Sequence, residues 1–94
     1  MQGHETIGDI KELIEIIRRA EHFYEIKQRY PNGAPANVKE RDLLPKAKAL
    51  RLYAQRLGAK TPGSLVTSKV YGIKADSRVY ADALEAVAKD FESL

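Results

Sequence analysis

Apolar residues recur at intervals of three or four along the first third of the chain. This spacing predicts an amphipathic helix. The tetrapeptide "DIKE" adds a capping box, with Asp9 at the N-cap and Glu12 three residues later. Two prolines and a glycine in "YPNGAPAN" then stop helix propagation. The apolar series consists of Ile10, Leu13, Ile14, Ile17, Ala20 and Tyr24.

A second apolar stripe recurs every seven residues on a flank of the same helix. It consists of Ile16, Phe23 and Tyr30. The apolar face is therefore wider than one packing partner requires. We favour a central position for this helix in a bundle. The alternative is a homodimer interface formed by these three residues, to which Leu52 of the next helix is added.

The second helix is predicted to begin with Asp42 as its N-cap, because Pro45 is tolerated only in the first turn. A start at Asn37 would place Pro45 in the helix interior, although a short turn over residues 38–41 can precede the helix. Gly58 ends it. One face of this helix is apolar, with Leu43, Ala47, Leu50, Tyr53, Ala54 and Leu57.

The segment after Gly58 has two possible structures. "TPGS" predicts a third helix, with Thr61 as N-cap, Pro62 at N1 and Gly72 as C-cap. "SLVTSKVYGI" is instead rich in β-branched residues and tyrosine, which is typical of a strand. We favour the helix because of its Thr-Pro start. Its apolar and basic positions are Leu65, Val66, Lys69, Val70 and Ile73.

The last segment predicts a fourth helix, capped by Asp76 or Ser77. Its apolar face consists of Tyr80, Leu84, Val87, Phe91 and Leu94. The predicted fold class is therefore all-α, a compact four-helix domain with a helix-turn-helix-like corner between helices 2 and 3. We expect one domain over residues 1–94, with residues 1–8 as a flexible start.

The charge of this chain is unevenly distributed. Residues 36–74 have a net charge of +7, whereas residues 1–35 have −1 and residues 75–94 have −3. A basic middle segment favours a polyanionic partner, unless the acidic ends fold back and neutralise it. The chain has no cysteine, so we expect no disulfide and no thiolate metal site. It also lacks an apolar run long enough for a membrane helix, so we expect a cytoplasmic protein without a membrane partner.

Residues 54–70, "AQRLGAKTPGSLVTSKV", resemble a helix-turn-helix. Ala54 precedes Gly58 by four positions, Leu57 points to the core, and a capped helix follows. The turn is longer than the tight form, and the second helix has no Arg, Asn or Gln for bidentate base contacts. Contacts to bases or phosphates are predicted for Ser64, Thr67, Ser68, Lys69 and Tyr71. Flanking contacts to nucleic acid are predicted for Lys48, Arg51, Gln55, Arg56 and Lys60.

The sequence shows no catalytic, metal-binding or phosphate-cradling motif. His4 and His22 are too far apart to predict a metal site, and the serines lack a histidine base. We therefore expect a protein that is not an enzyme and binds no cofactor or metal.

The predicted function is nucleic-acid binding through the basic middle segment, with DNA favoured over RNA. The alternative is a protein–protein interaction module or a subunit of a larger complex. In this alternative the protein can form a homodimer through helix 1. Leu44 and Leu52 lie on the otherwise basic side of helix 2, which is typical of a protein interface. In that case the basic segment would contact an acidic protein.

Overall fold

The computed structural model of the protein describes residues 10–61, 63–69 and 71–94. The predicted flexible start, the capping residue Asp9, and residues Pro62 and Val70 lie outside this part. The described residues are mostly helical, as predicted, but they also form a two-stranded sheet. The elements are α1 (Ile10–Ala20), α2 (Phe23–Arg29), α3 (Ala36–Val38), a π-helical turn (Lys39–Leu43), α4 (Leu44–Gly58), β1 (Leu65–Ser68), β2 (Ile73–Asp76) and α5 (Ser77–Ser93).

The first predicted helix is interrupted after Ala20. His22 adopts a left-handed backbone conformation with φ of 60°, and α2 starts at the next residue. This interruption turns Phe23 into the core, where its ring meets that of Phe91 edge to face, with centroids 5.5 Å apart. A continuous helix would instead direct Ala20 inward, and Ala20 is exposed. Packing of Phe23 therefore explains a break that no glycine or proline imposes.

Helical backbone begins at Ala36, earlier than the predicted start at Asp42. Between α3 and α4 the turn widens, and the Leu44 amide donates to the Lys39 carbonyl five residues back. Pro45 explains this widening, because its ring has no amide hydrogen and collides with the carbonyl four residues earlier in a regular α-helix. The chain thus accommodates a proline inside a helical run by a π turn.

The core lies mainly between α4 and α5. α5 is the central element, because it contacts α4, α1 and both strands. Asp76 caps it as predicted, since its carboxylate accepts a hydrogen bond of 2.9 Å from the Arg78 amide. The fully buried large side chains are Leu13, Ile17, Leu43, Tyr80, Leu84, Val87 and Phe91.

The predicted third helix is wrong, and a β-hairpin takes its place. β1 and β2 pair antiparallel, with Leu65 opposite Asp76 and Ser68 opposite Ile73. Gly72 has φ of 67° and donates its amide to the Ser68 carbonyl, so it serves the turn of the hairpin instead of capping a helix. The β-branched residues of this segment outweigh its Thr-Pro start. The residues described after Gly58 therefore form a hairpin, and not the second helix of the predicted helix-turn-helix corner.

Within the described residues, two ion pairs connect one helix to another. Arg18 of α1 binds Asp90 of α5 at 2.5 Å, and Arg51 of α4 binds Glu92 of α5 at 2.6 Å. None of the described helices combines the length and the apolar character that a membrane span requires.

Candidate functional site

The outward side of α4 presents four exposed residues in one row. Leu44, Lys48, Leu52 and Arg56 follow each other at intervals of four, so they lie along one face of the helix. Leu44 is 44 % exposed and Leu52 is 49 % exposed, although both are large apolar side chains. We call these four residues the α4 ridge. It alternates apolar and cationic side chains on the side of α4 that faces away from α5.

The basic middle segment remains largely free of ion pairs. Seven of its nine Lys and Arg residues form no ion pair with a described residue. No acidic residue occurs between Asp42 and Asp76, which explains why α4 and the hairpin cannot neutralise their own cations. Of the seven unpaired cations, Lys39 is half-buried and the other six are exposed. The seven unpaired cations are Lys39, Arg41, Lys48, Arg56, Lys60, Lys69 and Lys74.

Arg51 does not belong to this free set, although it was predicted to contact phosphates. Its guanidinium donates two hydrogen bonds to Glu92, at 3.1 Å and 2.6 Å. The hydrogen bond from Arg51 lowers the pKa of the Glu92 carboxyl below its usual value, and the same contact raises the pKa of Arg51. Lys46 is the other paired cation, with its Nζ 4.0 Å from Glu21. Both pairs join residues that are distant in the sequence.

The hairpin places the predicted base-contacting residues in different environments. Thr67 and Lys69 are exposed, Ser64 is half-buried, and Ser68 is only 6 % exposed. Ser68 uses its hydroxyl locally, as the acceptor of a 3.2 Å hydrogen bond from the Tyr71 amide. Its hydroxyl is therefore engaged inside the hairpin and largely shielded from solvent.

Lys74 is a surface cation that the sequence prediction missed. It lies directly opposite Thr67 in the hairpin, and both side chains are exposed on the outer face together with Leu65. The strand alternative would have indicated this position, because residues paired across two strands share one face.

Two tyrosines differ from their predicted exposure to solvent. Tyr71 is half-buried, with its ring centroid 6.0 Å from that of Tyr80, and burial raises the pKa of its hydroxyl well above the usual value. Tyr53 was predicted to lie in the core, but it is 39 % exposed. It lies one turn before Arg56, which makes it the aromatic neighbour of the α4 ridge. Gln55, one turn after Leu52, is exposed beside it.

The residues predicted for a homodimer interface do not form one surface. Phe23 is buried, whereas Ile16 and Tyr30 are half-buried, Ile16 in α1 and Tyr30 directly after the end of α2. Leu52 is exposed and belongs to the α4 ridge. The central element is α5 and not the first predicted helix, which packs on α5 through Leu13 and Ile17.

A second feature of the surface is an open cleft of about 680 Å³. One wall contains Glu21, His22 and Glu25, and the other contains Arg41 and Lys46. Lys46 pairs with Glu21 across the cleft at 4.0 Å, and the Nδ1 atom of His22 lies 3.3 Å from the Glu25 carboxylate, whereas Arg41 pairs with none of the described residues. Among the described residues no three His, Cys, Asp or Glu side chains are grouped as a metal site.

The chain matches no protein-family model, and no curated protein or solved structure matches it. The chemistry of the surface is therefore argued from its own residues. Unpaired cations bind anionic groups, whereas exposed Leu44, Leu52 and Tyr53 provide apolar area between them.

Proposed function

We propose that this protein binds nucleic acid through the α4 ridge and the basic residues near it. The observation that supports this proposal is the set of seven unpaired cations, five of which lie in residues 43–75, a stretch without acidic residues. Six of them are exposed, so a phosphate backbone can reach them without breaking an ion pair. Such contacts release counterions from the nucleic acid, which supplies most of the affinity in nonspecific binding.

The contacts in this proposal are to phosphates and do not select a base sequence. The residues described after Gly58 form a hairpin in place of the predicted recognition helix, so this proposal includes no helix in the major groove. Exposed lysines and arginines at the surface position a protein on nucleic acid without reading it. DNA is the nucleic acid to test first. The proposal also includes a cytoplasmic location for the protein.

The proposal can be tested with a fluorescently labelled mixed-sequence DNA duplex in a titration at several salt concentrations. The variant removes three exposed cations: Lys48→Ala, Arg56→Ala and Lys60→Ala. We expect the unmodified protein to bind more weakly as salt rises. The slope of log K against log salt should become shallower in the variant by up to about 2.7, since each phosphate contact contributes about 0.9.

A matched control removes the same charge elsewhere. The control variant carries Lys11→Ala, Arg19→Ala and Lys89→Ala. These three residues lie on α1 and α5, are exposed, and form no ion pair with a described residue. This control should keep both the affinity and the slope within about a factor of 2 of the unmodified protein. The proposal is wrong if no binding occurs at low salt, or if both variants lose affinity equally.

Protein binding is the second candidate function, and the exposure of Leu44 and Leu52 favours it. Exposed apolar side chains surrounded by charge mark many protein interfaces. An acidic partner would be expected, because every charged residue of α4 is basic. Tighter binding to poly-glutamate than to DNA of equal charge would favour this candidate.

A further inference from the structure

The apolar residues of the α4 ridge, Leu44 and Leu52, would find different contacts on double-stranded and on single-stranded nucleic acid. In a duplex the bases are stacked inside, and the outer surface offers mainly phosphate and sugar to a protein helix that stays outside the grooves. Lys48 and Arg56 would find partners there, but Leu44 and Leu52 would not. In a single strand the base faces are accessible, and apolar or aromatic side chains cover them.

We infer that the nucleic acid bound by the α4 ridge is single-stranded. This inference rests on the proposed function and names the form of its ligand. The two ridge cations bind phosphates of the strand, and the leucines contact the bases between them. Tyr53 adds a partly exposed ring beside Arg56, so that a base can stack next to a phosphate contact.

The dimensions of the α4 ridge agree with this arrangement. Lys48 and Arg56 are eight residues apart, which is about 12 Å along a helix. Leu52 lies midway between them, and Leu44 lies one turn before Lys48. From Leu44 to Arg56 the row is about 18 Å long, which accommodates several nucleotides of a strand along the helix.

Charge complementarity excludes an ordinary apolar partner for this surface. No acidic residue of α4 offsets Lys48 or Arg56, so a purely apolar surface would bury both cations without a counter-charge. A ligand must therefore combine regularly spaced anionic groups with apolar faces. Single-stranded nucleic acid combines both in every nucleotide.

The test compares three labelled probes of about 20 nucleotides, a length that exceeds the site size of a small single-strand-binding domain. They are a mixed-sequence single strand, the corresponding duplex, and an abasic strand with the same phosphates. We expect the single strand to bind at least about tenfold more tightly than the other two. The abasic strand separates base contacts from the greater flexibility of a single strand.

Two pairs of variants assign the contacts. Leu44→Ser with Leu52→Ser should weaken single-strand binding several-fold, without changing the salt slope or the affinity for the duplex. Lys48→Ala with Arg56→Ala should weaken binding to all three probes and reduce the slope. Leu65→Ser is the matched control, because Leu65 is 42 % exposed but lies on the hairpin. Circular dichroism melting confirms that each variant is folded.

The outcomes separate this inference from the function on which it rests. Duplex binding equal to single-strand binding, with no effect of the leucine variant, overturns the inference and leaves nucleic-acid binding intact. Failure to bind any of the three probes at low salt overturns both. Tighter binding to poly-glutamate than to the single strand also overturns both and assigns the α4 ridge to an acidic protein.

Discussion

Two hydroxyl groups, those of Tyr80 and Ser77, are fully buried and form no hydrogen bond with a described residue. A helical spacing predicts that Tyr80 faces the core, and the structure confirms it. The spacing does not predict whether its hydroxyl finds a partner, because that depends on the hairpin packed above it. Burial raises the pKa of Tyr80 from 10.0 to about 12.

Tyr80→Phe removes this hydroxyl while keeping the ring, so we expect the free energy of unfolding at neutral pH to rise by up to about 1 kcal/mol. The raised pKa means that the folded state holds the phenolic proton more tightly than the unfolded state. This contribution to stability is present below pH 10 and is lost as the pH rises towards about 12.

Urea unfolding at several alkaline pH values measures both effects. The unmodified protein should lose stability between pH 10 and about 12 more steeply than the Tyr80→Phe variant. Tyr71 retains its own raised pKa in both proteins, so some alkaline destabilisation should remain in the variant. A variant less stable than the unmodified protein at neutral pH would show that the hydroxyl has a partner.

At the scale of elements, sequence patterns located the helices better than their interruptions. "RRAEHFYE" contains no helix breaker, so its periodicity predicts a continuous helix through residues 10–30. The break at His22 depends on the contact of Phe23 with Phe91, which lies in another helix. Val66, Thr67 and Ile73 indicate a strand in the sequence, whereas the Thr-Pro start before them is typical of a helix.

His22→Gly tests whether the break is strained. A left-handed conformation costs a non-glycine residue about 1 kcal/mol, and glycine adopts it freely. Because the His22 side chain is mostly exposed, its own contacts contribute little. We therefore expect the variant to raise the free energy of unfolding by up to about 1 kcal/mol.

Thermal and urea unfolding measure this effect, with His22→Ala as the comparison. Alanine removes the imidazole but keeps the strain of a Cβ atom at φ of 60°. It should therefore give no stabilisation. If His22→Ala stabilises as much as His22→Gly, the effect comes from the side chain and not from the backbone.

For the whole molecule, the core was more predictable than the candidate site. The apolar positions of α5 were predicted from spacing alone, and Leu84, Val87 and Phe91 are fully buried. The sequence does not show which cations are free and which are paired. Arg51, for example, forms an ion pair with Glu92, which lies 41 residues later in the sequence. The exposure of Tyr53 also depends on which neighbours cover α4. The net charge of a segment can be counted from the sequence. Which of its charges form ion pairs depends on tertiary contacts, which the sequence does not show.

Leu84→Ala should remove about 2–5 kcal/mol from the free energy of unfolding, because it leaves a cavity in the main core. A domain of this size has only about 5–15 kcal/mol in total. Urea unfolding should therefore show a large loss, or an unfolded protein at room temperature.

Leu52→Ala is the matched control, since the same side chain is truncated on the same pair of packed helices but at the exposed ridge. It should change the free energy of unfolding by less than about 0.5 kcal/mol. A large loss in this variant would place Leu52 in an interface between copies of the protein.

The π turn at Lys39–Leu43 has a consequence for the register of the helical run. A hydrogen bond that spans five residues encloses one residue more than an α-helix needs. Residues before the turn are thus rotated by about 100° relative to an uninterrupted helix ending at Gly58. A variant that replaces Pro45 and lacks one residue of this turn would therefore return the run to a regular α-helix without changing the direction of the residues before it.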